Sequence, residues 1–207
     1  MSSINVLKRD GTQEGLNLEK VHKMVEFACE GLAGVSESQV EIQSELQFCD
    51  GIKSADIQEI LIRSASDLIS EEHPNYQYVA ARLLLFGLRK AVHGHPEILP
   101  PLLEHVKGCI DKGVYDAAIV NRYSEEEWDR INSFVEHERD YLFTYAGLRQ
   151  VVDKYLVQDR STGKHYESPQ QMYIMIAATL FANYPTETRL DYVRRYYNAI
   201  STHKINI

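Results

Sequence analysis

Apolar positions along the first half of the chain alternate between two periods. Ile4 to Lys8 reads as a short strand that runs into Arg9-Asp10-Gly11, and Asp-Gly is a strong hairpin-turn signal. Gln13 to Leu16 reads as the returning strand, and Asn17 is a good N-cap for a helix directly after it. From there the period lengthens. Leu18, Val21, Val25, Ala28 and Leu32 fall on one helical face, with Gly31 and Gly34 closing the segment. Ser36 is placed to cap a second helix with Val40, Ile42 and Leu46 on its apolar side. Cys49 to Lys53 is too short for a helix and fits a third strand beside the hairpin. Ser54 is read as the cap of a third helix through Ile57, Leu61, Ala65 and Leu68. Pro74 opens a fourth, where proline is tolerated in the first turn, with a stripe at Tyr76, Ala80, Leu83 and Gly87.

Gly94-His95-Pro96 breaks the pattern, and the remainder is mostly helical. Helices are expected over Leu102 to Ile110, Ser124 to Glu136, Tyr145 to Tyr155, Pro169 to Leu180 and Arg189 to Ile200. Ser124-Glu125-Glu126-Glu127 is a capping-box pattern. Tyr155-Leu156-Val157 and His165-Tyr166-Glu167 flank a polar stretch that predicts a second hairpin turning at Thr162-Gly163. Lys204 to Ile207 reads as the start of a further strand. The expected fold is mainly α (α+β): residues 1–94 form four helices capped by a small three-stranded sheet, and residues 95–207 form a helical segment.

Composition narrows the function classes. The chain has 207 residues, 44% apolar and 25% charged, with a formal charge of -8. General binding to nucleic acid or to a membrane surface needs a broad basic face, which an acidic chain does not offer. No apolar run reaches membrane-spanning length and the N-terminus lacks a signal-peptide pattern, so a cytoplasmic protein is expected. Cys29, Cys49 and Cys109 are odd in number and widely spaced. They read as buried small hydrophobes rather than as disulfides or a zinc site.

Against the acidic background one basic cluster stands out. Lys8 and Arg9 sit where a strand meets its turn, and Lys20 lies in the first turn of the next helix. A helix start supplies unpaired N–H groups and partial positive charge, so a lysine there is misplaced unless an anion compensates it. Together these groups suit a phosphate, with Glu14 or Asn17 within reach of a ribose or base edge. The spacing alone fits a solvated hairpin equally well. Lys90 continues the stripe of the fourth helix, so it either snorkels at the helix end or points into a polar pocket. Ser54 and Gln58 form a similar polar intrusion at the start of the third helix. The histidines make no i, i+4 metal pair, and no nucleophile–base constellation or P-loop is present. Thirteen tyrosines include Tyr192, Tyr196 and Tyr197 near one face of the last helix.

The strings Val6-Leu7-Lys8-Arg9-Asp10-Gly11 and Asn17-Leu18-Glu19-Lys20 resemble the opening of an ATP-cone. Further segments extend the likeness along the chain. They are Asp50-Gly51-Ile52-Lys53-Ser54, Tyr76 through Leu83, Lys154-Tyr155-Leu156-Val157, Thr162 through Ser168 and Ala199-Ile200-Ser201-Thr202. In that order they resemble the N-terminal part of class Ia ribonucleoside-diphosphate reductase large (alpha) subunits. The resemblance implies an allosteric activity site that binds ATP to switch the enzyme on and dATP to switch it off. Nucleotide-contacting roles carry over by position to Lys8, Arg9, Glu14, Asn17, Lys20, Ser54, Gln58 and Lys90. The four cations would hold the triphosphate, with Mg2+, while Ser54, Asn17 and Glu14 would address base and ribose. Gln58 and Gly87 stand where some relatives carry histidines. The implied partners are the rest of the alpha subunit, whose α/β barrel lies downstream, and the small radical-bearing beta subunit, in effector-dependent oligomers. A competing reading is a nucleotide-independent interaction module with a degenerate cone.

Overall fold

A computed structural model describes residues 4–8 and 11–205. It divides the chain into two compact units, Met1–Gly87 with Phe143–Arg149, and Leu88–Leu142 with Gln150–Ile207.

In the first unit, strands β1 (Asn5–Leu7) and β2 (Gln13–Gly15) form the antiparallel hairpin. The helices are α1 (Leu18–Cys29), α2 (Glu37–Glu45), α3 (Ser54–Asp67) and α4 (Tyr76–His93), the last of which continues into the second unit. Strand β3 (Ile52–Lys53) joins the sheet in the order β2-β1-β3, parallel to β1. Two contacts fix that parallel register. The Asp50 carboxylate accepts from the Asn5 backbone N–H at 2.8 Å, and the Gly51 N–H donates to the Asn5 carbonyl at 2.9 Å. Gly51 does so at φ +79°, a left-handed conformation that favours glycine. Val6 and Ile52, paired across the strands, turn inward to a core that includes Val25, Val40, Leu61, Ala65, Val79 and Leu83.

Asn17 caps α1 as expected, its side-chain oxygen accepting from the Lys20 N–H at 3.0 Å. Ser54 does not cap α3. Lys53 holds the cap position and Ser54 is the first helical residue, because the helix starts directly from the strand. Ser36 occupies the N-cap of α2 without a side-chain bond. Three residues assigned to apolar faces are outside the core, with Leu18, Ile42 and Leu46 exposed. α2 buries only Val40 and Ser44, so Ile42 and Leu46 lie outside the face that it packs. α1 ends at Cys29, before Leu32.

The second unit contains α5 (Leu102–Asp111), α6 (Glu125–Asn132), a hairpin of β4 (Gln158–Asp159) and β5 (Lys164–His165), and the packed pair α8 (Pro169–Phe181) and α9 (Thr186–Ser201). Between them, α7 (Tyr145–Gln150) passes from the first unit into a π-helical turn at Val151–Tyr155. Ser124 and Glu127 make the expected capping box on α6, but that helix stops at Asn132 rather than Glu136. Lys204 and Ile205 form a bend, not a strand, and Asn206 and Ile207 lie outside the described residues. Of the tyrosines of α9, Tyr192 and Tyr196 share a face and both meet the Phe181 ring, while Tyr197 is turned into the core. A buried polar run ties the unit together. Arg89 pairs with Asp140 at 2.8 Å, Gln170 donates to the same carboxylate at 2.9 Å, and Tyr197 donates to Gln170 at 2.7 Å. Each of these four side chains has a partner, as burial demands.

Three histidines of this unit and the end of α4 are withdrawn from solvent. Burial pushes His93, His105 and His137 down to about 4, with nearby cations adding to the effect: Arg89 on His93 and His137, and Lys112 on His93 and His105. All three are held neutral when folded. The unfolded chain takes up their protons below its ordinary value near 6.5, so their contribution is intact above pH 6.5 and lost as pH falls toward 4. Urea denaturation at pH 7.5 and at pH 5 should therefore show a loss of stability. It accumulates at up to about 1.4 kcal/mol per pH unit for each histidine. His93→Gln should reduce the slope.

Candidate functional site

The basic cluster is assembled by the hairpin and the start of α1. Glu14 is the register partner of Val6, so its side chain leaves the same face of the hairpin as that of Lys8, on the diagonal. Glu14 Oε1 lies 2.6 Å from Lys8 Nζ and 3.6 Å from Lys20 Nζ. The hydrogen bond from Lys8 is the main cause of a lowered Glu14 pKa, with Lys20 adding to it against some desolvation. Two cations from separate elements are thus aimed at a single anionic point. The connection closes through the Lys8 N–H donating to the Thr12 carbonyl at 2.8 Å, and Gly11 takes φ +83°. Arg9 lies outside the described residues.

Asn17 reaches the same region through backbone geometry, since its cap places Lys20 in the first turn. Its side-chain oxygen is occupied by that cap. Ser54 and Gln58 are four residues apart on α3 and share one face at its N-terminal end. Because β3 runs parallel to β1, Ser54 leaves the sheet at the same end as Lys8. Gln58 is turned toward α4, where its amide donates to the Leu83 carbonyl at 2.7 Å. Gly87 makes room for it. A β-carbon there would stand 3.0 Å from Gln58 Cγ. Lys90 is exposed in the last turns of α4 and belongs to the second unit.

Spacing placed Glu14 within reach of a ribose or base edge and did not show that its carboxylate meets both lysines, although the hairpin register, which sets Glu14 diagonal to Lys8, carries that signal. Spacing also gave no hint that Gln58 and Gly87 fit each other, because a contact between α3 and α4 has no local signature. Among the described residues, no group of three histidines, cysteines or carboxylates is placed to hold a metal ion. Cys29 and Cys109 are buried, but Cys49 is exposed, since the turn before β3 has no core face. Among the described residues no helix is long and apolar enough to cross a membrane.

Residues 4–91 match the ATP cone domain family, and residues 141–207 match the ribonucleotide reductase all-alpha domain. The chain is 51% identical over 205 residues to the ribonucleoside-diphosphate reductase subunit alpha of Haemophilus influenzae, covering 99% of this chain and 27% of that protein. It is 51% identical over 202 residues to ribonucleoside-diphosphate reductase 1 subunit alpha of Escherichia coli, covering 98% of this chain and 26% of that one. The subunit alpha of phage T4 is 40% identical over 208 residues, covering 100% of this chain and 27% of that protein. The chain therefore spans about a quarter of the length of these relatives.

The fit between Gln58 and Gly87 makes a double-mutant prediction. Glycine inside a helix costs about 0.5–1 kcal/mol relative to alanine. Gly87→Ala should nonetheless give no net gain in the wild-type chain, because the new methyl pushes on Gln58 and its bond to Leu83. In a Gln58→Ala background the same change should stabilise by about 0.5–1 kcal/mol. Urea denaturation of the four proteins reads the coupling.

Proposed function

We propose, for a chain that belongs over residues 4–91 to the ATP-cone family and over residues 141–207 to the ribonucleotide reductase all-alpha family, that it is the allosteric nucleotide-binding region of a ribonucleoside-diphosphate reductase alpha subunit. The observation that carries this reading is the convergence of Lys8 and Lys20 on one carboxylate oxygen. Two cations held 2.6 and 3.6 Å from a single negative point, beside a helix start, are arranged to receive a phosphate.

In this reading residues 1–94 form the regulatory domain and residues 95–207 lead into the catalytic region of the subunit. Lys8, Arg9, Lys20 and Lys90 hold the triphosphate of ATP or dATP, and Mg2+ arrives on the phosphates rather than on protein carboxylates. Asn17, Ser54, Gln58 and, once released, Glu14 address the nucleoside. ATP and dATP differ only at the 2'-hydroxyl, so a group that senses it must alter the surface of the cone. Coupling of roughly 1–3 kcal/mol between nucleotide and subunit contacts is enough for a graded switch. The surface so altered meets the small radical-bearing beta subunit in effector-dependent oligomers, in the cytoplasm. Reduction of the ribonucleotide is assigned to the remainder of the alpha subunit. Cys29, Cys49 and Cys109 are given no part in it.

Calorimetric titration of the chain with ATP and dATP tests this. Saturable binding at micromolar nucleotide is expected, weakened about tenfold or more by Lys8→Ala and by Lys20→Ala. Absence of saturable binding in the wild-type chain overturns the reading in favour of a nucleotide-independent interaction module.

A further inference from the structure

The lysine pair is already occupied by an anion that the protein supplies itself. Lys8 extends from the end of β1 and Lys20 from the first turn of α1, yet both meet the same oxygen of Glu14. Lys20 sits where the helix end is itself positive, so a negative partner offsets an unfavourable placement. The three side chains are 35%, 67% and 43% exposed for Lys8, Lys20 and Glu14 respectively. Ion pairs this exposed contribute little to folding stability and exchange readily. A carboxylate in such a position is a poor structural strut, but it resembles a phosphate oxygen in charge and in the donors it accepts from.

We propose that Glu14 is a built-in counter-anion: its carboxylate takes the place of a phosphate between Lys8 and Lys20, so that a polyphosphate binds only by displacing it. The proposal rests on the reading of this region as a nucleotide site and sets its threshold. A ligand that is phosphate alone must compete with Glu14 for the lysines and has nothing else to offer. A nucleoside triphosphate meets the same competition but adds contacts from its sugar and base. Glu14 thereby acts as a specificity-determining residue that lowers capture of bare phosphate anions. The neighbouring pair Glu19–Lys23, at 2.9 Å on α1, supplies a control. Glu19 carries the same charge on an adjacent segment and is engaged by a different lysine.

The test titrates the wild-type chain, E14Q and E19Q with inorganic triphosphate and with ATP at low salt, with a thermal melt of each variant to establish that it is folded. E14Q should bind inorganic triphosphate roughly three- to tenfold more tightly than wild type, from the loss of two exposed charge contacts. E19Q should change it by less than about twofold, as expected for a charge of similar position without the shared contact. The advantage of E14Q should shrink at high salt. If E14Q binds triphosphate no more tightly than E19Q does, or more weakly than wild type, while the wild-type chain still binds ATP, the counter-anion role is overturned and the nucleotide site stands. If the wild-type chain binds neither ATP nor triphosphate, the nucleotide-site reading fails and the inference falls with it.

Discussion

The parallel pairing of β1 with β3 is the constraint from which the first unit is built. A strand of two residues has little to hold it, and here the Asp50 carboxylate and the Gly51 N–H clamp Asn5 to provide the hold. Once Val6 and Ile52 lie side by side facing inward, the remaining geometry is set. β1 and β3 must end at the same edge of the sheet, so Lys8 and the start of α3 emerge together. β2 returns antiparallel and carries Glu14 onto the face of Lys8. A one-residue slip would send Val6 to solvent and separate Glu14 from the lysine.

That arrangement explains why an acidic chain can present a cationic site. The positive groups are not spread over a surface. Two are brought to within ion-pair distance of one oxygen by a hairpin diagonal and a helix cap. The cap matters as much as the lysines, because Asn17 fixes the start of α1 and so fixes where Lys20 stands. The second unit solves a different problem. It buries Arg89, Asp140, Gln170 and Tyr197 in one continuous polar run and leaves no charge of that run without an opposite or a donor. Such a run holds its elements in one relation, since any shift of α8 against α9 would break the Gln170–Tyr197 bond.

Gln58 and Gly87 show how an inter-helix contact depends on an absent side chain. The amide reaches the Leu83 carbonyl because nothing projects from position 87 to stop it. The glycine is therefore set by its neighbour rather than by backbone conformation. It carries no positive φ, unlike Gly11 and Gly51.

Local chemistry was readable in the chain itself. Asn17 as a cap, the capping box at Ser124 and Glu127, the two hairpins and the buried stripe Val21, Val25 and Ala28 of α1 all depend on residues within a few positions of each other, and each took its expected form. The overreach was local too. Ser54 has the chemistry of a cap, yet α3 grows straight out of β3, so the cap falls on Lys53. Ile42 and Leu46 have helical period, but period states only which residues share a face, not whether anything covers it. What the tertiary structure alone decided are the contacts between residues far apart in sequence: the parallel hold of Asp50 on Asn5, the seat of Gln58 on α4, and the polar run from Arg89 to Tyr197. Each depends on two backbones arriving at one place, and the energy that brings them there is spread over a whole core rather than written in either segment.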